Sequence, residues 1–175
     1  MRIVLETPRL SLREMTAEDL DFVAEMLLDP QVMRFYNRSY TREDAEAWLG
    51  RQLERYACDG HGLWLVQRRD GGAKVGQVGL VMQEVDGAAE PEISYLVHRP
   101  FWRRGYAAEA AAGVRDYAFG ALGYDHVIAL VRPENVPSQG VARAIGMRPW
   151  KRTLRAGLEH IVFALWRDGT QAALQ

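Results

Sequence analysis

At 175 residues, with 48% hydrophobic and 26% charged side chains, the chain is long enough to bury one core and too apolar for disorder. A formal net charge of −1 offers no global attraction to nucleic acid or to an anionic membrane surface. A single cysteine, Cys58, excludes an internal disulfide and a cysteine-based zinc site.

The first residues, "MRIVLETPRL", are interrupted by charge and proline too soon for a signal peptide, and no apolar run approaches the roughly 18 to 20 residues that span a bilayer. A cytoplasmic protein that works neither in a membrane nor on nucleic acid is expected. "RLSLRE" alternates Leu10 and Leu12 inward, as a half-buried strand does. In "TAEDLDFVAEMLLD", Thr16 and Asp19 approximate a capping box, and Leu20, Val23, Ala24 and Leu27 share one helical face until Pro30 stops the helix. After an aromatic loop, "RFYNRSY", Thr41 and Asp44 open a second helix in the same way.

Three strands follow, Leu63 to Gln67, Val75 to Val85 and Ile93 to Val97, separated by "RDGG" and "DGAAEP" as in an antiparallel meander. A helix is predicted from about Tyr106 to Leu122, with Ala107, Ala110, Ala111, Val114 and Ala118 on its apolar side. "HVIALV", His126 to Val131, is apolar throughout and suits a strand covered on both faces. A short helix from Ser138 to Ile145 ends at Gly146, and strands Pro149 to Leu154 and Ile161 to Trp166 flank the "RAGLEH" turn. The order β-α-α-β-β-β-α-β-α-β-β describes one α+β domain over residues 1–175, with a mixed, mostly antiparallel seven-stranded sheet and about four helices.

Chemistry concentrates in "HRPFWRRGYAAEA", where a strand gives way to a helix. The first N–H groups of a helix lack internal partners and the dipole is positive there, so the junction suits an anion. Gly105 lets the backbone turn without a Cβ, and Arg103 and Arg104 add charge; a diphosphate fits this arrangement best. A turn glycine beside two solvated arginines reads the same way. No G-x-x-x-x-G-K-[ST] is present and no G-x-G-x-x-G follows a strand. Further on, "RPENVPSQGVARAIGM" places Asn135 and Ser138 at the start of the short helix, where both types also serve as caps.

Together with the element order, "ETPRLSLREMTAEDLDFVAEML", "DPQVMRFY", "TREDAEAWL", "EISYLVHRPFWRRGYAAEA" and "ENVPSQGVARAIGMR" resemble the GNAT superfamily of N-acetyltransferases over nearly the whole chain. They look most like the branch of ribosomal-protein N-terminal acetyltransferases. The resemblance implies a single GNAT-type domain that uses acetyl-CoA (coenzyme A as its carrier) to acetylate a primary amine. In that family Q/R-x-x-G-x-G/A cradles the pyrophosphate. Here Trp102 stands at the first position, and the implied cradle is Trp102, Arg103, Arg104, Gly105, Tyr106 and Ala107. Leu96 and Val97 would pair their backbone with the pantetheine arm, and Asn135 would bond to the same arm.

Many family members use a tyrosine seven residues after that asparagine as the acid; Ala142 stands there, which leaves Ser138 to orient or protonate the sulfur. Glu92, on the same strand face as Ser94 and Leu96, is the base candidate beside the alternative of a solvated carboxylate. An unperturbed glutamate is a weak base, which favours an α-amine near pKa 8 over a lysine near 10.4, a difference of roughly 3 kcal/mol. Phe35, Tyr36, His160 and Trp166 are the acceptor-pocket candidates, and Glu109 reads as a dipole-complementing structural residue. The expected acceptor is a protein N-terminal α-amine. The alternatives are a small-molecule amine, such as a polyamine or aminoglycoside, or a sensor that holds acyl-CoA without turnover. The aromatic loop lacks the carboxylates expected of an antibiotic-modifying pocket. No metal is called for, and related enzymes occur as monomers and homodimers.

Overall fold

The computed structural model describes residues 2–170. Two short strands, β1 (Ile3–Glu6) and β2 (Leu10–Arg13), turn back on each other at Thr7, whose N–H donates to the Leu10 carbonyl at 2.8 Å. β1 makes the sheet eight-stranded where the sequence predicts seven. Its register with β2 shifts between Ile3 and Leu5, so its four residues never show the period of two that betrays a strand.

A 3₁₀ turn at Ala17–Asp19 leads into α1 (Leu20–Leu28), and α2 (Arg42–Cys58) follows the aromatic loop. Both expected capping boxes form. Thr16 N–H donates to Asp19 Oδ2 at 2.9 Å, and Thr41 and Asp44 exchange backbone-to-side-chain bonds of 2.8 and 3.2 Å. The meander is β3 (Leu63–Arg68), β4 (Lys74–Val85) and β5 (Ala88–Val97). After a 3₁₀ turn at Arg99–Phe101 come α3 (Tyr106–Gly120), β6 (His126–Val131), α4 (Val136–Ala144), β7 (Arg148–Arg155) and β8 (Leu158–Trp166).

The strands lie in the order β1-β2-β3-β4-β5-β6-β8-β7, antiparallel except for β5 beside β6, which α3 connects. Ala110, Ala111, Val114 and Ala118 of α3 pack onto Val78, Leu80, Ile93 and Ala129 on one face of the sheet. Val23, Met26 and Leu27 of α1 and Leu49 of α2 cover Leu63, Leu65 and Val81 on the other. Each large aliphatic side chain buried this way contributes roughly 1.5–3 kcal/mol. Covering on both faces is why β6 is apolar throughout. Among the described residues no helix is long and apolar enough to cross a membrane.

One irregularity in the sheet makes room for chemistry. β4 and β5 pair from Val85↔Ala88 to Gly76↔Val97, whereas β5 and β6 pair at Glu92↔Ile128 alone. Beyond that point the parallel strands separate, and the second half of β5 turns an unpaired backbone edge toward the gap.

Candidate active site

A cavity of about 420 Å³ opens at this gap. Its wall combines Phe35 and Tyr36 from the loop between α1 and α2, one face of α2, Glu92 and Leu96 of β5, Asn135 and Ser138 at the start of α4, and Arg155 and His160 of the β7–β8 hairpin. The α2 face is Trp48, Arg51, Gln52 and Arg55, spaced i, i+3, i+4 and i+7.

Strand alternation places Glu92, Ser94 and Leu96 toward α1 and α2, with Ile93, Tyr95 and Val97 toward α3 and α4. Glu92 is only 8% exposed. Burial pushes its pKa up, against the charges of Arg155 and Arg55 and hydrogen bonds from the Gln83 side chain and the Leu130 backbone. Gln83 also receives Arg155 Nη2 at 2.7 Å, which ties the hairpin to β4. A carboxyl with a raised pKa is a stronger base than the unperturbed glutamate expected from the sequence. Weakness of the base therefore selects less sharply between an α-amine and a lysine than the sequence alone implies.

On the opposite face of the sheet from Glu92, Tyr95 and Ser138 bond twice. Tyr95 Oη donates to the Ser138 carbonyl at 2.7 Å and accepts from Ser138 Oγ at 3.0 Å. Burial, with some help from the charge of Glu92, pushes the Tyr95 phenol up to about 12, so it keeps its proton at neutral pH. Asn135 Oδ1 accepts the Ser138 N–H at 3.1 Å as the N-cap of α4, so its oxygen serves the cap while its amide N–H₂ is not used by it. Tyr95 was not among the residues singled out from sequence. Its position on the strand was readable, but its meeting with Ser138, 43 positions on, was not.

The turn before α3 is shaped for an anion. Arg103 (φ 60°) and Gly105 (φ 77°) both adopt left-handed backbone, on either side of Arg104. That alternation lets successive N–H groups converge on a negative charge. The first i→i−4 bond of α3 runs from Glu109 N–H to the Gly105 carbonyl, so the N–H groups of Tyr106, Ala107 and Ala108 have no helical acceptor. Arg103, Arg104 and Gly105 are exposed, while the Tyr106 ring is buried in the core beneath the Arg9 guanidinium, leaving its backbone alone at the turn. Trp102 donates its indole N–H to the Val97 carbonyl at 2.7 Å and packs toward α1, so its side chain locks the end of β5. Glu109 binds the Thr7 hydroxyl and the Arg9 backbone and guanidinium, stapling the β1–β2 turn to α3.

Three of the four acceptor candidates, Phe35, Tyr36 and His160, line the cavity. His160 bonds through Nδ1 to the Leu158 carbonyl at 2.9 Å, and burial lowers its pKa. Trp166 is outside the lining. β8 runs antiparallel to β6, so Trp166 pairs with His126 at the far end of the sheet, where it stacks on that ring and meets Trp150. Among the cavity residues not anticipated, Arg51 and Arg55 had a signal in the helical spacing that starts at Trp48. Arg155 had none, because the pairing of β7 with β8 decides where it stands.

The sequence model of the family described as "Acetyltransferase (GNAT) domain" matches residues 9–148. The uncharacterized protein YkkB of Bacillus subtilis is 32% identical over 152 residues, covering 86% of this chain and 88% of its own. An acetyltransferase from Agrobacterium tumefaciens superposes with a TM-score of 0.84 at 26% identity, over 95% of each chain. A ribosomal L7/L12 alpha-N-protein acetyltransferase solved with coenzyme A shares the fold at a TM-score of 0.76 and 14% identity, over 97% of this chain and 100% of that one.

Proposed function

The chain belongs to the GNAT acetyltransferase family and is an N-acetyltransferase, and from that premise we propose that it moves the acetyl group of acetyl-CoA to the α-amine of a protein N-terminus. The observation that carries this reading is the gap between β5 and β6, where β5 presents a buried carboxylate on one face and a protonated phenol on the other. The chain is read as one cytoplasmic domain over residues 1–175. The ribosomal-protein branch is supported by a shared fold with an N-terminal acetyltransferase bound to coenzyme A.

The residues present suit the donor. Left-handed backbone at Arg103 and Gly105 and the bare N–H groups at the start of α3 would hold the pyrophosphate, with Arg103 and Arg104 adding charge. The stretch of β5 at Leu96 and Val97 that β6 leaves uncovered, apart from the Val97 carbonyl taken by Trp102, and the Asn135 amide would hold the pantetheine arm. Bound acetyl-CoA supplies the thioester carbonyl that the amine attacks.

Glu92 takes the proton of the arriving ammonium, a role its raised pKa suits. Tyr95 keeps its proton at Oη, donated to the Ser138 carbonyl while the Ser138 hydroxyl donates to the same oxygen, and serves the sulfur side once that proton turns from the carbonyl. An α-amine near pKa 8 gives up its proton for roughly 3 kcal/mol less than a lysine near 10.4, so it remains the easier acceptor even for a strengthened base.

Thiol release from acetyl-CoA, followed across amine acceptors and pH, tests the assignment. Glu92→Gln is expected to lower kcat by about 10²-fold or more. The base works deprotonated, so wild-type kcat/KM should fall as pH drops through a limb above the usual carboxylate range, and the variant should lack that limb. A loss of only a few-fold, with the limb intact, would remove Glu92 from the mechanism.

A further inference from the structure

On the acetyltransferase reading, the acceptor's amine approaches Glu92, so the other charges on the cavity wall bear on which amines fit. Those charges are one-sided. Arg51, Arg55, Arg132 and Arg155 line the cavity, and Glu92 is its single carboxylate among the described residues. Arg132 is committed to the loops, donating to the Phe35 carbonyl and pairing with Glu134. The other three have no carboxylate within 4.0 Å among the described residues.

Arg55 bonds to the neutral Gln52 at 3.3 Å, Arg155 bonds to the neutral Gln83 at 2.7 Å, and Arg51 lies against the Trp48 ring. Burial and the neighbouring Arg51 both push the Arg55 guanidinium below its ordinary value, so its charge is held in place against a desolvation cost. Arg155 and Arg55 line the same cavity as Glu92, and the charge of each favours its carboxylate. One carboxylate among three guanidiniums leaves positive charge uncompensated. That field repels a polyamine and draws in an anion. A guanidinium fork also matches a carboxylate or phosphonate with two parallel hydrogen bonds.

Building on the acetyltransferase reading, we propose that the acceptor is an amine carrying its own carboxylate, or a like anion, a few bonds from the nitrogen, with the nitrogen at Glu92 and the anion on Arg55 and Arg155. Arg51 strengthens the field behind them. An acidic protein N-terminus and a free amino acid both present this chemistry.

The test uses the full chain, acetyl-CoA and thiol release, with acceptors matched in all but charge: alanine against alaninamide, Asp-Ser against Asn-Ser peptide amides, and spermidine. An acid form is expected to exceed its neutral partner by about tenfold in kcat/KM, with spermidine slowest. For alanine this preference runs against nucleophile availability, since the amide has the less basic amine. The acid-to-amide ratio, taken within each protein, should fall toward one in Arg55→Gln and Arg155→Gln. Whether the free amino acid or the peptide pair shows the larger ratio identifies the source of the anion.

Equal rates for acid and neutral forms, spermidine as the best acceptor, or an undiminished ratio in both variants overturns the acceptor class and leaves the acetyltransferase reading standing. Thiol release from none of these amines likewise overturns the acceptor class, and acetyl-CoA that fails to bind at all overturns the proposed donor site instead.

Discussion

Tyr95 carries the sharpest expectation for a single side chain. Its phenol is pushed up to about 12 chiefly by burial, so it stays protonated across the working range, and the paired bonds with Ser138 hold it in one orientation. A thiolate near pKa 8.5 is a fair leaving group on its own, which limits what a donor can add. Tyr95→Phe is therefore expected to lower kcat about tenfold, or ~1.4 kcal/mol of barrier, with the KM for acetyl-CoA nearly unchanged. Ser138→Ala, which removes the Oγ bond but keeps the carbonyl that the phenol donates to, should lose less. Steady-state kinetics on both variants decide the matter, and a Tyr95→Phe enzyme within twofold of wild type removes the phenol from the chemistry.

At the scale of the element, the start of α3 is where sequence and backbone geometry meet. Gly105 sits at φ 77°, and a Cβ built there meets only Arg9 Nη2 at 3.4 Å, so the objection to a side chain is conformational rather than steric. Gly105→Ala should cost about 1–2 kcal/mol for the left-handed backbone. It should also raise the KM for acetyl-CoA severalfold while sparing kcat, since the cradle proposed at this turn would touch the donor and no reacting atom. Gly120 ends the same helix with open space around its Cβ position and no left-handed φ, so Gly120→Ala is the control expected to keep both Tm and KM. An unaltered KM in Gly105→Ala would mean that the turn does not cradle the donor.

At the scale of the molecule, one buried carboxylate ties distant parts together. Asp19 is 1% exposed and takes both Arg13 amino groups at 2.7 and 2.8 Å, Lys74 Nζ at 2.8 Å and the Thr16 N–H, joining β2, the start of α1 and β4. Burial alone would raise its pKa, but the bonds from Arg13 and Lys74 outweigh burial and hold it well below the usual carboxylate range. The folded value lies below the unfolded 3.8, so this stabilisation is complete above about pH 4 and fades as pH falls further. Asp19→Asn should destabilise the fold by about 3–5 kcal/mol near neutral pH, because Arg13 is left buried without its counter-charge. Urea unfolding at several pH values should show the difference between wild type and variant shrinking below pH 4. A difference that stays constant down to pH 2 would rule the carboxylate out as the acid-labile link.

The sequence by itself determined what depends on residues close in the chain. Thr16 with Asp19 and Thr41 with Asp44 announced two helix starts, the unbroken apolar run of β6 announced a strand covered on both faces, and Gly105 announced the turn into α3. Each signal is local, because caps, side-chain periodicity and left-handed turns act within a few residues. β1 escaped because a register shift in four residues erases the alternation. The rest depends on which distant segments line one cavity. Strand register kept Trp166 at the far end of β8 and brought Arg155 to the cavity. α2 added Arg55, and α4 laid Ser138 on Tyr95. Desolvation and charge act through space, so the raised pKa of Glu92 and the arginines that line the same cavity depend on those segments meeting at the gap between β5 and β6.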